Sequence, residues 1–232
     1  MGMFGTSRLD DKGFTLIELL IAMLIGSVVM AAVMVSFQSQ HNTYLAQDEV
    51  VEMQQNARVA MDMLVRDIRS AGYDPNNLGA GITTVDISPD GVAATLTFTR
   101  EDALAAAGLE TISYSLYDAF EFATPPSNDG LDDDLALQVT TAAGTTAGRQ
   151  VVAENISRLE FRYLDESGNP PATLDDIRSI QVSLMVEAAQ PDTKTPPGVK
   201  TYTTPSGAVW PSRAEFRSVY LTTTVQCRNM GL

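Results

Sequence analysis

The 232-residue sequence predicts an α+β chain: one long N-terminal helix, membrane-spanning in its first half and amphipathic in its second, packed on an antiparallel β-sheet head. Three observations predict it. From Leu19 to Val35 no residue is charged and only Ser27 is polar, and with Phe14 to Ile17 the run reaches the roughly 20 apolar residues that a bilayer-crossing helix needs. No Gly or Pro then interrupts the chain from Ser27 to Ala71, while Met53, Ala57, Ala60, Met61, Leu64, Ile68 and Ala71 recur at spacings of three and four. From Val85 onward the apolar period changes to two, which is the period of a strand with one covered face.

The helix comes first. Its apolar stripe defines one face, and Arg58, Asp62, Arg66 and Arg69 lie on the other, with Asp62 and Arg66 in the favourable acid-before-base spacing. Such charges read as a solvated helix face. Gly72 followed by Tyr73-Asp74-Pro75 supplies the stop. Inside the spanning half sits one acid, Glu18. A carboxylate near the centre of a bilayer costs about 2–3 kcal/mol and less towards an end, so an acid in a span points to function and calls for a partner. No Lys, Arg or His lies between Phe14 and Phe37, so the partner is expected from another chain or from an amine created by cleavage at Gly13. An ordinary secretory signal fits poorly, because the apolar run is too long and Asp10, Asp11 and Glu18 are misplaced for one.

Strands follow. The alternating segments are Ala94-Leu96-Phe98, Ile112-Tyr114-Leu116, Leu135-Leu137-Val139, Leu159-Phe161-Tyr163, Ile180 to Val186 and Val219 to Val225. Pro- and Gly-rich stretches between them, Thr124 to Gly130, Ala142 to Gly148, Ser167 to Pro171 and Pro191 to Gly207, read as turns or exposed loops. The last is long enough to be mobile or to cover a subunit contact.

Charge and reactive side chains narrow the function. A net charge of −14 opposes binding to phosphate backbones, so no nucleic-acid partner is expected. The single cysteine, Cys227, permits no internal disulfide, and its place in the last alternation puts it on the inward side as a buried, inert thiol. His41 is the lone histidine and stands among Gln38, Gln40, Asn42 and Thr43, so neither a Ser-His-Asp set nor a metal cluster assembles around it. The densest acids, Asp129, Asp132, Asp133 and Asp134 beside Asn128, lack the order of an EF-hand loop and read as a solvated turn rather than a calcium site. The chain is expected to be no enzyme and to need no cofactor or metal.

The string KGFTLIELLIAMLIG resembles the processing site of type IV prepilins and their pseudopilin relatives: a short charged leader, Gly, an aromatic residue, Thr-Leu-Ile and then Glu. The resemblance implies cleavage after Gly13 by a prepilin peptidase, N-methylation of the new terminus at Phe14, and an assembly contact in which Glu18 compensates the Phe14 amine of a neighbouring subunit. It implies a pilin-like fold divided into a leader at 1–13, a transmembrane half-helix at 14–37, an amphipathic half-helix at 38–73 and a β-rich head at 74–232. The run Ala57 to Tyr73, the segment Asn155 to Tyr163 and the terminal Arg217 to Asn229 are similar to PilW-type minor pilins and, next to these, to J-type minor pseudopilins of type II secretion. The function so implied is that of a minor pilin that helps to initiate or cap a type IV pilus. Its partners would be other pilins and minor pilins, the peptidase and the inner membrane, with the head exported and later displayed on a surface fibre. A type II secretion pseudopilin and a membrane-tethered exported binding domain or enzyme are the alternatives. Many major pilins carry a C-terminal disulfide, whose absence here points away from a main fibre subunit, and a Pro in the span, whose absence argues against local melting of the helix in a fibre.

Overall fold

The predicted helix runs unbroken as α1, Leu16–Ser70, in a computed structural model that describes residues 14–102, 108–117, 133–192 and 196–230. The chain divides into two units, Met1–Asp48 and Glu49–Leu232. In the first unit α1 buries nothing: its large apolar side chains from Leu16 to Phe37 are all at least half exposed. A continuous helix satisfies its own backbone, which is what lipid demands. The Ser27 hydroxyl is satisfied as well, since its Oγ donates to the Leu24 carbonyl at 2.8 Å.

In the second unit the remainder of α1 buries Met53, Ala57, Ala60, Leu64 and Ile68, five positions of the predicted stripe, and Ala71 beyond the helix end is buried as well. Ala57 and Ala60 are wholly buried, and Leu64 and Ile68 are among the largest fully buried side chains of the core. Gly72 ends the helix for two reasons. Its φ is +73°, where a side chain is strained, and an added Cβ would lie 2.8 Å from Met230 Sδ. The orphan carbonyls of the last turn are capped from far away, by Asn229 Nδ2 donating to Arg69 O at 3.2 Å and Ala71 O at 3.4 Å.

The strands are β1 (Val92–Ala93), β2 (Leu96–Glu101), β3 (Leu109–Tyr117), β4 (Asp134–Thr140), β5 (Gln150–Ala153), β6 (Ile156–Leu164), β7 (Ser179–Glu187), β8 (Thr201–Thr203), β9 (Val209–Pro211) and β10 (Ser218–Gln226). They form two four-stranded antiparallel sheets, β1-β6-β7-β10 and β2-β3-β4-β5, and the hairpin β8-β9. The α+β class and every one of the six predicted strands are present. The alternation is visible in what is buried: Leu96 and Phe98, Ile112 and Tyr114, Phe161 and Tyr163, Ile180 and Val182. Cys227, just past β10, is buried as predicted.

One expectation needs correction. The stretch Pro191 to Gly207, read as an open loop, contributes β8, which pairs with β9 through Thr201↔Pro211, Tyr202↔Trp210 and Thr203↔Val209. Trp210 is buried, Tyr202 stacks on Tyr220 of β10 at 5.4 Å, and Trp210 meets the same ring edge-on at 6.0 Å. The hairpin is fastened to the sheet by buried carboxylates. Glu187 Oε2 accepts from Arg213 Nε at 2.7 Å and its Oε1 from the Arg213 N–H at 2.8 Å, while Glu160 Oε2 accepts from Ser206 Oγ at 2.9 Å. Both acids stand at polar positions of their strands, and the hairpin turns that nominally wet side into a second packed layer.

Candidate functional site

The N-terminal turn of α1 is the site the sequence singles out. Gly13 and the leader before it lie outside the described residues; Phe14 is the first described residue and is almost fully exposed. Thr15 occupies the N-cap position before Leu16. Its backbone N–H donates to Glu18 Oε2 at 2.9 Å, its hydroxyl donates to the same oxygen at 2.9 Å, and the Glu18 N–H is directed at Thr15 Oγ1 at 3.3 Å. This is a capping box, in which Thr at the cap and Glu three residues on satisfy each other's backbone donors. The sequence signal was in view as Thr-x-x-Glu ahead of an apolar run. Thr15 thus supplies two neutral donors to an acid for which the sequence predicts a charged partner.

The chemistry of the turn follows. Two donors at 2.9 Å fix the position of the Glu18 carboxylate and lower the cost of holding it in an apolar layer, since hydrogen bonds to a charged acceptor are the strong ones. They do not neutralise it. The carboxylate is thereby held in a set position one helical turn from the residue that cleavage after Gly13 would make the terminus.

In the head, a polar cluster ties the last turns of α1 to β2 and β3. Tyr114 Oη donates to Asp67 Oδ2 at 2.5 Å, Arg100 Nη1 donates to Ser70 Oγ at 2.8 Å and lies 3.8 Å from Asp67 Oδ1, and Arg100 Nε donates to Glu110 Oε1 at 2.5 Å. Burial first and the Asp67 carboxylate second push the Tyr114 hydroxyl well above its ordinary pKa, so it stays protonated as a donor. Asp74, after the helix, accepts from the N–H groups of Leu78 at 2.7 Å, Gly79 at 2.6 Å and Ala80 at 3.0 Å. The Leu78 and Ala80 bonds lead in holding its carboxyl below the usual range. These groups do structural work, and the sequence does not reveal them because their partners are 10 to 47 residues away or are backbone atoms. Arg58, Asp62, Arg66 and Arg69 are exposed, as read.

His41 stacks on Phe37 with ring centroids 6.5 Å apart and gathers no reactive set. Among the described residues no three His, Cys, Asp or Glu side chains come together as a metal site. Of the acidic cluster considered for calcium, Asn128, Asp129 and Asp132 lie outside the described residues; Asp134 opens β4 with its side chain buried, and Asp133 accepts at its carbonyl from Ile156 N–H at 2.5 Å.

A capped, span-length apolar helix followed by a β-rich head defines an α+β protein, and α1 is the helix long and apolar enough to cross a membrane among the described residues. Residues 8–34 match the family model of the prokaryotic N-terminal methylation motif. No curated protein matches it. Among solved structures it is similar to a type IV-like pilin from Thermus thermophilus, with a TM-score of 0.47 and 11% sequence identity, over 77% of this chain and 98% of that one.

Proposed function

We propose that this chain is a minor pilin of a type IV pilus, a non-enzymatic structural subunit that helps to initiate or cap fibre assembly. The observation that carries the reading is Glu18: an ionisable side chain in an otherwise uncharged span, placed by a capping box inside the methylation motif. Cleavage after Gly13 by a membrane-embedded peptidase creates and methylates the Phe14 amine. In the inner membrane, with the head exported, the fixed Glu18 carboxylate of one subunit meets the Phe14 amine of the next. Opposite charges attract far more strongly in an apolar layer than in water, so the pair sets the register in which subunits leave the bilayer for the fibre. The 1–13, 14–37, 38–73 and 74–232 divisions serve as leader, membrane anchor, support and displayed head.

Gly13→Arg tests processing. A side chain at the residue before the cut blocks the close backbone approach that Gly allows, so the variant should keep its leader while wild-type N-terminal sequencing begins at methylated Phe14. A wild-type chain with an intact leader, or one cut after Ala32, contradicts the proposal. Surface fibres that vanish on deletion of this chain support a pilus over a secretion pseudopilus; lost protein export with intact fibres supports the reverse.

A further inference from the structure

Most sheet edges in the head are short or covered. β1 has two residues and β5 four, and the outer side of β2 is taken by the preceding segment, through Thr83 N–H to Thr97 O at 2.8 Å and Thr99 N–H to Gly81 O at 2.7 Å. β10 is different. It is nine residues long, pairs with β7 in unbroken register, and contains no charge and no Pro, and among the described residues no strand pairs along its other side.

Hydrogen-bond parity shows what that side offers. Ala188 N–H donates to Arg217 O and Cys227 N–H to Arg178 O, so odd-numbered residues of β10 exchange bonds with β7 and even-numbered ones point their N–H and C=O away. Ser218 O is occupied by the Tyr202 hydroxyl at 3.0 Å. From Tyr220 to Gln226 the outward groups at 220, 222, 224 and 226 remain, with Thr222, Thr224 and Gln226 exposed. A long, unbulged, uncharged edge is a template for another strand, and natural sheets ordinarily blunt it with charge, Pro or a bulge.

We infer that the outer edge of β10, over Tyr220–Gln226, is a β-augmentation site for an extended segment of a different protein chain. Only an extended backbone satisfies a row of alternating donors and acceptors. On the core side the segment lies beside Leu221 and Val225, which are packed in or against the core, and so carries apolar residues there; on the other side it carries small or β-branched residues beside Thr222 and Thr224. The net charge of −14 opposes a second copy of this chain and favours a neutral or basic segment. The inference is independent of the fibre reading.

The experiment uses the full chain in the cells that make it, with a photo-crosslinking residue in place of Thr222 or of Thr224. The expected adducts map to two residues, two apart, in one segment of one other chain. Thr224→Pro, read with the probe at 222, removes an outward N–H that β7 does not use and should abolish the adduct while the head keeps its protease resistance. Thr222→Pro, read with the probe at 224, repeats the test, and Thr223→Pro, which breaks a bond to β7, shows that the resistance assay responds. No adduct, adducts to a second copy, or adducts that survive both outward Pro changes overturn the inference.

Discussion

The two units solve the same problem, what to do with polar groups in an apolar setting, by opposite means. In the N-terminal unit the side-chain bonds of Glu18 to Thr15, Ser27 to Leu24 and Thr43 Oγ1 to the Ser39 carbonyl, the last at 3.0 Å, are local, three or four residues apart. In the head the decisive bonds are remote, from Asp67 to Tyr114, Glu160 to Ser206 and Asn229 to Ala71, the last 158 residues apart. A helix destined for lipid has to be complete before it meets a partner. A head folding in water can leave its polar groups to be satisfied when distant strands arrive. The N-terminal unit is therefore robust to what happens in the head, and the head depends on the last turns of α1.

That contrast breaks most visibly at Leu64. With its side chain wholly buried, Leu64→Asp loses about 2–5 kcal/mol of core packing and adds an unpaired buried charge. Against a typical total of about 5–15 kcal/mol, a chain lacking residues 1–37, expected to be a soluble folded monomer, should lose its cooperative melt. The full-length variant should still insert in membranes. An unchanged melting temperature would mean that the helix does not hold the head.

Gly72→Ala is a smaller blow to the same junction. A left-handed backbone costs a non-Gly residue about 1–3 kcal/mol, and here the new Cβ would also press on Met230. Melting should drop by several degrees without loss of the fold; no shift would mean that Met230 and the turn adjust freely.

Alkaline pH sharpens the comparison with the least disruption, because the affected groups belong to the head. Burial pushes the Cys227 thiol up to about 12, against a weaker opposing pull from Arg178, and burial likewise raises Tyr114 and Tyr163. A group whose folded pKa lies above its unfolded one gives its full contribution below the unfolded value and loses it as pH rises through the folded one. Head stability should therefore decline from about pH 9 towards 12, and Cys227→Ala should flatten that decline. Melting temperatures independent of pH up to 11 would show these groups to be accessible in the folded state.

The legibility of the sequence follows the same divide. Thr15 to Val35 could be read almost residue by residue because its structure is local, and the stripe from Met53 to Ile68 because helical spacing survives without knowledge of the partner. The strands were readable wherever six or more residues alternate. β8 and β9 were not, since three residues in a Pro- and Gly-rich stretch carry no period and pair only because Trp210 and Tyr202 find Tyr220. Glu160 and Glu187 stand at the polar positions of alternating strands, and their burial depends on partners in and beside that hairpin. Asp67 was lost in a helix of charges because its role is set by Arg100 and Tyr114.

The account turns on whether Glu18 acts through its charge or through its cap, and Glu18→Gln separates the two. Gln serves in a capping box as Glu does, so the helix start, membrane insertion and processing after Gly13 should all persist, while the attraction to a neighbour's Phe14 amine is removed. The measurement is surface-fibre number in cells whose only copy carries Glu18→Gln, with N-terminal sequencing of the same cells. Processed, inserted protein with fibres lost or greatly reduced is the predicted result; wild-type fibre numbers would show that the carboxylate only caps its own helix.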